Sequence, residues 1–269
     1  MTTARVVLIT GAGFGIGRAT AELLITHGYR VFGTSRDPKG HGRRAFPLLE
    51  MDVHSDESVS NCVQSVLAQG GCIDVLINNA GTGIAGAAEE TLLSEARTVF
   101  ETNFFGMVRM TNAVLPTMRQ QHSGKIITMS SAGGFIGIPF RALYVASKFA
   151  IEGYNESLRY EVRPFGINVS LVEPGPVSTP VADAVPQVSH EIAAYAHLRR
   201  QVTEAFHTAM RQGMPSQQVA RAILRIIKQD SPHLHNTVGA QATMLALLRR
   251  GMPQGGFEML VRRIFDMEH

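Results

Sequence analysis

Two side chains four residues apart carry the most chemistry in this sequence: the phenol of Tyr144 and the ammonium of Lys148, in Tyr144-Val145-Ala146-Ser147-Lys148. Residues 143–162 have helical spacing and are closed by Pro164 and Gly166. Positions i and i+4 share one face of a helix, so the two groups can converge. A free phenol ionises near pH ~10, and a neighbouring ammonium favours its ionised form. Such a pair suits a proton transfer near neutral pH. The spacing alone recurs by chance in many helices, so its meaning depends on what stands beside it.

A second constellation lies near the N-terminus. Val6-Val7-Leu8-Ile9 is a short β-branched run, and residues 18–27 carry a helical pattern stopped by Gly28. Between them stands Thr10-Gly11-Ala12-Gly13-Phe14-Gly15-Ile16-Gly17. Glycines permit a left-handed turn and close backbone approach. The following helix offers free N–H groups and the positive end of its dipole to a pyrophosphate. In a strand–turn–helix context this is a dinucleotide fingerprint, with Gly11, Gly13, Phe14, Gly15, Ile16 and Gly17 as backbone ligands. The next strand ends in Gly33-Thr34-Ser35-Arg36. An acid there would bind the ribose hydroxyls of NAD. Ser35 and Arg36 instead suit the 2′-phosphate of NADP(H). Asp37 belongs to the exit turn with Pro38.

Further apolar runs at 29–32, 46–51, 73–77, 125–129 and 167–172 alternate with helical patterns at 55–69, 92–121 and 143–162. The 92–121 pattern is interrupted near Asn103 and Gly106. Continuous β-branched strands alternating with helices imply an α/β fold. Its parallel sheet is buried on both faces and doubly wound in the Rossmann manner. No linker or repeat divides residues 1–269, so a single domain is expected. Residues 178–215 break the pattern, with partial helix, many Met, His and Gln, and no clear strand; they suit a substrate-covering segment. Ser216 is expected to cap a helix running to residue 228. Two short helices separated by Gly251-Met252-Pro253 follow within 240–267.

Composition removes several functions. The net charge is +3, and the cluster Lys39, His41, Arg43 and Arg44 reads as a solvated turn rather than a nucleic-acid stripe. Cys62 and Cys72 lack metal-ligand spacing. His233-x-His235 lacks a third ligand nearby in sequence, so no metal is expected. No apolar stretch is long enough for a membrane span. The first strand begins almost at once, with no secretory leader ahead of it, and a cytoplasmic location is expected.

Taken in order, the motifs resemble the short-chain dehydrogenase/reductase family along nearly the whole chain. They are T-G-x-x-x-G-x-G at 10–17, N-N-A-G at 78–81, Asn103, Ser130-Ser131, Y-x-x-x-K at 144–148 and Pro174-Gly175. The resemblance implies an NADP(H)-dependent oxidoreductase interconverting a carbonyl and an alcohol, on a seven-stranded parallel sheet. It implies that Ser131 polarises the substrate oxygen and Tyr144 exchanges its proton. Lys148 would bind the nicotinamide ribose and lower the tyrosine pKa, and Asn103 would hold a relay water. Asn78 and Gly81 would support the adenosine ribose and the sheet, and Asp52 with Val53 would meet the adenine. Pro174, Gly175, Val177 and Thr179 would bind the carboxamide. Gly13-Phe14 stands where many members have small polar residues, so only backbone contacts to phosphate are expected there. The stretches 131–140 and 147–153 are similar to the branch containing estradiol 17-beta-dehydrogenases and retinol dehydrogenases, implying a hydrophobic ketone or alcohol as small-molecule substrate. A homodimer or homotetramer pairing helices 102–121 and 143–163 is implied by the same resemblance. Phe135, Phe140, Phe206, Met210 and Met214 are expected to line an apolar pocket or to pack in the core. Two other readings are an NAD-dependent oxidative alcohol dehydrogenase, which Arg36 opposes, and a catalytically silent NADP(H) sensor, which the complete set Asn103, Ser131, Tyr144 and Lys148 opposes.

Overall fold

The computed structural model of the chain describes residues 4–179 and 185–267. Seven strands form one sheet: β1 (Val6–Ile9), β2 (Arg30–Ser35), β3 (Leu48–Glu50), β4 (Val75–Asn78), β5 (Gly124–Met129), β6 (Ile167–Pro174) and β9 (His235–Val238). Their order is β3-β2-β1-β4-β5-β6-β9, and every pairing is parallel. The strands are continuous apolar runs because each face has its own core. Val7, Ile9, Ile77 and Ile127 face α1 (Gly15–Thr26) and α7 (Ser216–Lys228), meeting Leu24, Val219 and Ile223. Val6, Leu8, Leu76 and Ile126 face the other way. They meet Val63 of α2 (Asp56–Gly70), Met110 and Val114 of α4 (Gly106–Gln121) and Leu158 of α5 (Ala142–Val162). Period-two alternation within fully buried strands thus feeds two layers of helix. This is the expected α/β Rossmann-type architecture with a seven-stranded parallel sheet.

Several local expectations are corrected. The third strand is Leu48–Glu50 rather than 46–51: Pro47 has no N–H for a ladder, and only its carbonyl is used, by Gly33 N at 2.9 Å. The interruption in the 92–121 pattern is a π-helical turn, Glu101–Phe105, between α3 (Leu93–Phe100) and α4. The 178–215 region does contain strand: β7 (Val177–Ser178) pairs in parallel with β8 (Met214–Pro215). That pairing holds Pro215 extended, so Pro215 rather than Ser216 occupies the N-cap of α7 and Ser216 is its first helical residue. Part of the expected cover, residues 180–184, lies outside the described residues; the longest element of the remainder is α6 (Ala196–Arg211). Phe135 and Met214 join cores, Phe135 against α8 (Ala240–Gly251) and α9 (Gln254–Ile264), Met214 against the α1–α7 layer.

An ionic cluster joins β6, β9 and α5. His235 Nδ1 lies 2.8 Å from Glu173 Oε1 and 3.2 Å from Glu152 Oε2. Hydrogen bonds to these two carboxylates raise the imidazole pKa to about 10. His235 thus meets Glu152 and Glu173 from distant parts of the chain, and the His233 side chain is not among the groups that converge there. A histidine whose folded pKa stands above its unfolded value stabilises the fold fully below pH ~6.5, and that contribution is lost as pH rises towards 10. The urea midpoint of the wild type should therefore fall across this window. His235→Gln should be less stable at pH 6 and show a flatter pH dependence; parallel pH curves for the two proteins would refute the assignment.

Candidate active site

Parallel strands bring all their C-terminal ends to one edge, and the chemistry collects there. The glycine turn follows β1 directly. Gly11 has φ +65°, a conformation that L side chains rarely adopt. At Gly17 a Cβ would stand 2.4 Å from the Gly11 carbonyl oxygen, so only glycine permits this packing of turn on helix. Thr10 joins the turn to the end of β4: its Oγ1 accepts from the backbone N–H groups of Asn79 and Ala80, both at 2.9 Å. The Asn79 amide donates back to Thr10 O and Gly11 O at 2.9 Å. Asn78 points the other way and donates to Thr111 Oγ1 at 3.2 Å inside the sheet–α4 layer.

Lys148 is 6% exposed, and its Nζ donates to Met129 O at 2.8 Å. Burial pushes its pKa down to about 8, with Glu152 opposing. Its ammonium lies 5.7 Å from the centre of the Tyr144 ring. Tyr144 is half-buried; desolvation raises its pKa, while a hydrogen bond with Ser131 and the charge of Arg141 lower it. Ser131 Oγ also accepts from Gly133 N at 3.1 Å. Asn103, in the π turn, is fully buried. Its Oδ1 accepts from Thr82 N at 2.8 Å, and its Nδ2 donates to Thr82 O and to Ser147 Oγ at 2.9 Å. Oδ1 keeps a second lone pair. A Cβ at Gly81 would stand 3.4 Å from that oxygen and 4.0 Å from Lys148 Nζ, so Gly81 lies between the two. Asn103, Ser131, Tyr144 and Lys148 are therefore brought to one place. The extra residue of a π turn changes which side chain faces inward, and such turns recur at functional sites.

Of the remaining expected ligands, Thr179 reaches the glycine turn. Val177 is buried in β7, and the Thr179 methyl lies 3.6 Å from where a Cβ of Gly15 would stand. Gly175 N donates to Val238 O at 3.0 Å, fixing the Pro174-Gly175 turn to β9. Asp52 is engaged locally, accepting from His54 N at 3.0 Å, and Val53 packs on Gly106. Phe14 and Arg36 are exposed, and Ile16 is half-buried.

The 39–44 loop differs from the solvated turn that its composition suggests. His41 Nε2 lies 3.0 Å from Ser35 Oγ and only 2.4 Å from where a Cβ of Gly13 would stand. The Phe14 and His41 rings are 5.8 Å apart. Arg44 donates to Gly13 O at 3.0 Å, and its Nε is buried without a partner. His41 and Arg44 thus fill the space left by the missing side chain at Gly13. The signal was present in the sequence as the conjunction of a bare glycine turn and a basic loop one strand later. Thr10, Asn79, Ser147 and Arg141 were also given no role by sequence reasoning.

The family model for short chain dehydrogenases matches residues 5–189. The chain belongs to the short-chain dehydrogenase/reductase family. It is 40% identical over 243 residues to a 3-ketodihydrosphingosine reductase of Bacteroides thetaiotaomicron, covering 90% of each chain. It is 37% identical to bovine (Bos taurus) retinol dehydrogenase 8, covering 93% of this chain and 86% of that one. Among solved structures, a short-chain dehydrogenase from Streptomyces avermitilis superposes with a TM-score of 0.79 at 33% identity, covering 98% of this chain and 97% of that one. The protein is accordingly an NAD(P)-dependent oxidoreductase acting on a small molecule. Among the described residues, no helix is long and apolar enough to cross a membrane.

Thr10 is the joint of this dehydrogenase site. Thr10→Val keeps the shape of the side chain and removes the acceptor of two backbone N–H groups. It should cost roughly 2–4 kcal/mol in urea unfolding; a loss below about 0.5 kcal/mol would mean that the turn does not depend on this hydroxyl.

Proposed function

We propose that the protein is an NADP(H)-dependent carbonyl/alcohol oxidoreductase in which Tyr144 exchanges a proton with the substrate oxygen. The observation that carries this reading is the convergence of Tyr144, Ser131 and the buried Lys148, with Asn103 alongside. The cofactor supplies or accepts the hydride. The glycine turn and the N-terminus of α1 suit its pyrophosphate, with Thr179 and Val177 on the nicotinamide side and Asp52 and Val53 along the adenosine side; Asn78, turned into the sheet–α4 layer, supports the sheet, and Gly81 stands beside Asn103 and Lys148 instead of the adenosine. Ser131 donates a hydrogen bond to the substrate oxygen. In reduction Tyr144 gives its proton to that oxygen, and Lys148 holds the ribose and favours the phenolate left behind. The free lone pair on Asn103 Oδ1 suits a water that returns the proton.

The choice of NADP(H) over NAD(H) is supported by the end of β2 and the loop after it. Ser35, His41 and Arg44 provide hydroxyl, imidazole and guanidinium groups around Gly13, Arg44 Nε lacks a partner, and Arg36 follows β2 on the exposed side. The Asp37 carboxylate is engaged by Gly40 N at 3.0 Å, within the exit turn. NADP+ should bind more tightly than NAD+, and Arg36→Asp should reverse the order; equal calorimetric affinities in the wild type would remove this reading.

The substrate is proposed to be a ketone or alcohol with apolar parts. Two relatives are named for a keto compound and for an alcohol. Residues 178–215 are proposed as its cover. Arg199 of α6 pairs with the buried Glu90 and, at 2.6 Å, with Glu191, and Tyr195 donates to Glu89 Oε2 at 2.8 Å. These bonds fasten α6 and the turn before it, and the contact of Phe206 with Arg141 brings α6 beside the start of α5, which supports the cover reading.

Tyr144→Phe removes the proposed proton donor and keeps the ring. Single-turnover hydride transfer should fall by at least roughly a hundredfold with cofactor affinity near wild type. A rate near wild type would exclude Tyr144 as the acid. The pH profile tests Lys148 separately. Its pKa is lowered to about 8, so the ammonium is present below that pH and lost above it. The reductive kcat/KM for NADPH, which reports the free enzyme, should decline above pH 8. A profile flat to pH 9.5 would assign Lys148 no charged role.

A further inference from the structure

The proposed chemistry leaves one buried charge unused. Arg141 is 4% exposed and stands three residues before Tyr144, at the N-cap of α5. It stands close enough to the phenol for its charge to act on Tyr144. Phe206 of α6 covers it, with the guanidinium carbon 4.1 Å from the ring centre. Among the described residues no carboxylate pairs with it. Burial lowers its pKa to about 10, and among the described residues the Tyr144 hydroxyl, when ionised, is the charge acting the other way.

This placement is unfavourable on three counts. A buried charge without a counter-ion is costly. The N-terminal end of a helix carries partial positive charge and repels a cation. The backbone leading to Arg141 is strained as well: Phe140 has φ +56°, in the left-handed region that a bulky residue rarely enters. That turn is held by Gly86 N donating to Phe140 O at 3.0 Å and by an edge contact of Phe140 with Tyr195 at 6.3 Å. A cation–π contact with Phe206 offsets only part of the desolvation. Strain and an unpaired charge that persist together beside a reacting group point to a ligand that completes them.

We propose that Arg141 is a substrate-binding residue and that the substrate carries a carboxylate within a few bonds of the reacting carbonyl. This rests on the carbonyl-reductase reading above and narrows its substrate class. The guanidinium fork receives the carboxylate, the α5 N-terminus adds to the attraction, and Phe206 closes over the pair. The same charge disfavours a substrate with an ammonium group beside its carbonyl, so the preference differs from one for apolar shape alone. The carboxylate also orients the carbonyl oxygen towards Tyr144 and Ser131.

The test compares a 3-oxo acid, such as 3-oxooctanoate, with its methyl ester, which keeps the shape and removes the charge. Wild type should reduce the acid with at least about tenfold higher kcat/KM, the range expected for a charge-assisted contact. Arg141→Met should bring the acid-to-ester ratio of kcat/KM down to about one, whatever loss the two substrates share through the tyrosine; Arg141→Lys should keep part of the ratio. Wild-type preference for the ester, or an acid preference that survives Arg141→Met, would overturn the proposal while leaving the reductase reading intact. Equal loss of both substrates with a shifted alkaline limb would overturn it too, assigning Arg141 to the tyrosine instead. If no ketone in the panel, charged or neutral, is reduced, both this proposal and the reductase reading fall.

Discussion

A primary amine buried beside the end of β5 sets the layout of this site. Lys148 cannot be enclosed as a free charge, so its surroundings must supply a hydrogen-bond acceptor and tolerate either protonation state. The Met129 carbonyl is the acceptor, available because β5 ends there. Glu152, one turn further along α5, is the compensating charge. Burial brings the amine to about pH 8, near the range where a proton can be gained or lost during turnover. Placing the amine here fixes α5 against β5, which in turn fixes Tyr144 one turn back and Ser131 at the following loop. The π turn answers the same constraint from the opposite side, turning Asn103 inward to bond Ser147 of the same helix.

Much of this was legible because it is short-range. The glycine turn reads from a strand, a turn and a helix in succession, and Tyr144 and Lys148 from a four-residue spacing on one helix. The break in the 92–121 pattern signalled an irregularity, but not that it would be a π turn, because the deciding bonds run from Asn103 to Thr82 and to Ser147, 44 positions away. The errors share that cause. Ser216 looked like a cap until the pairing of Met214–Pro215 with Val177–Ser178 held the preceding residue extended. The 39–44 loop looked solvated because nothing local says that His41 will lie over Gly13. His235 looked like half of a histidine pair because the carboxylates it meets come from α5 and β6. Composition identifies such groups, and only the sheet order says which will meet.

The two halves of the site are therefore built by different means. The cofactor side depends on backbone: left-handed glycines, a helix N-terminus, and the bonds of Thr10 and Asn79 between adjacent strand ends. Such contacts constrain residue type tightly, so they are visible as motifs. The substrate side depends on ionic and aromatic contacts between distant segments. Glu90 receives Arg199 from α6 and the backbone N–H of Ile192, and Phe206 reaches Arg141. A carboxylate that gathers a guanidinium and two backbone donors is held in its charged form despite burial, so Glu90 is a firm anchor for a segment with little core of its own. Because the anchor is separate from Tyr144 and Lys148, side chains on α6 can change without disturbing Thr10, Lys148 or the sheet, which suits the proposed role of this segment as a substrate cover. Where α6 covers a buried cation that no carboxylate among the described residues pairs, next to a strained turn, the charge cannot be explained by the stability of the protein alone.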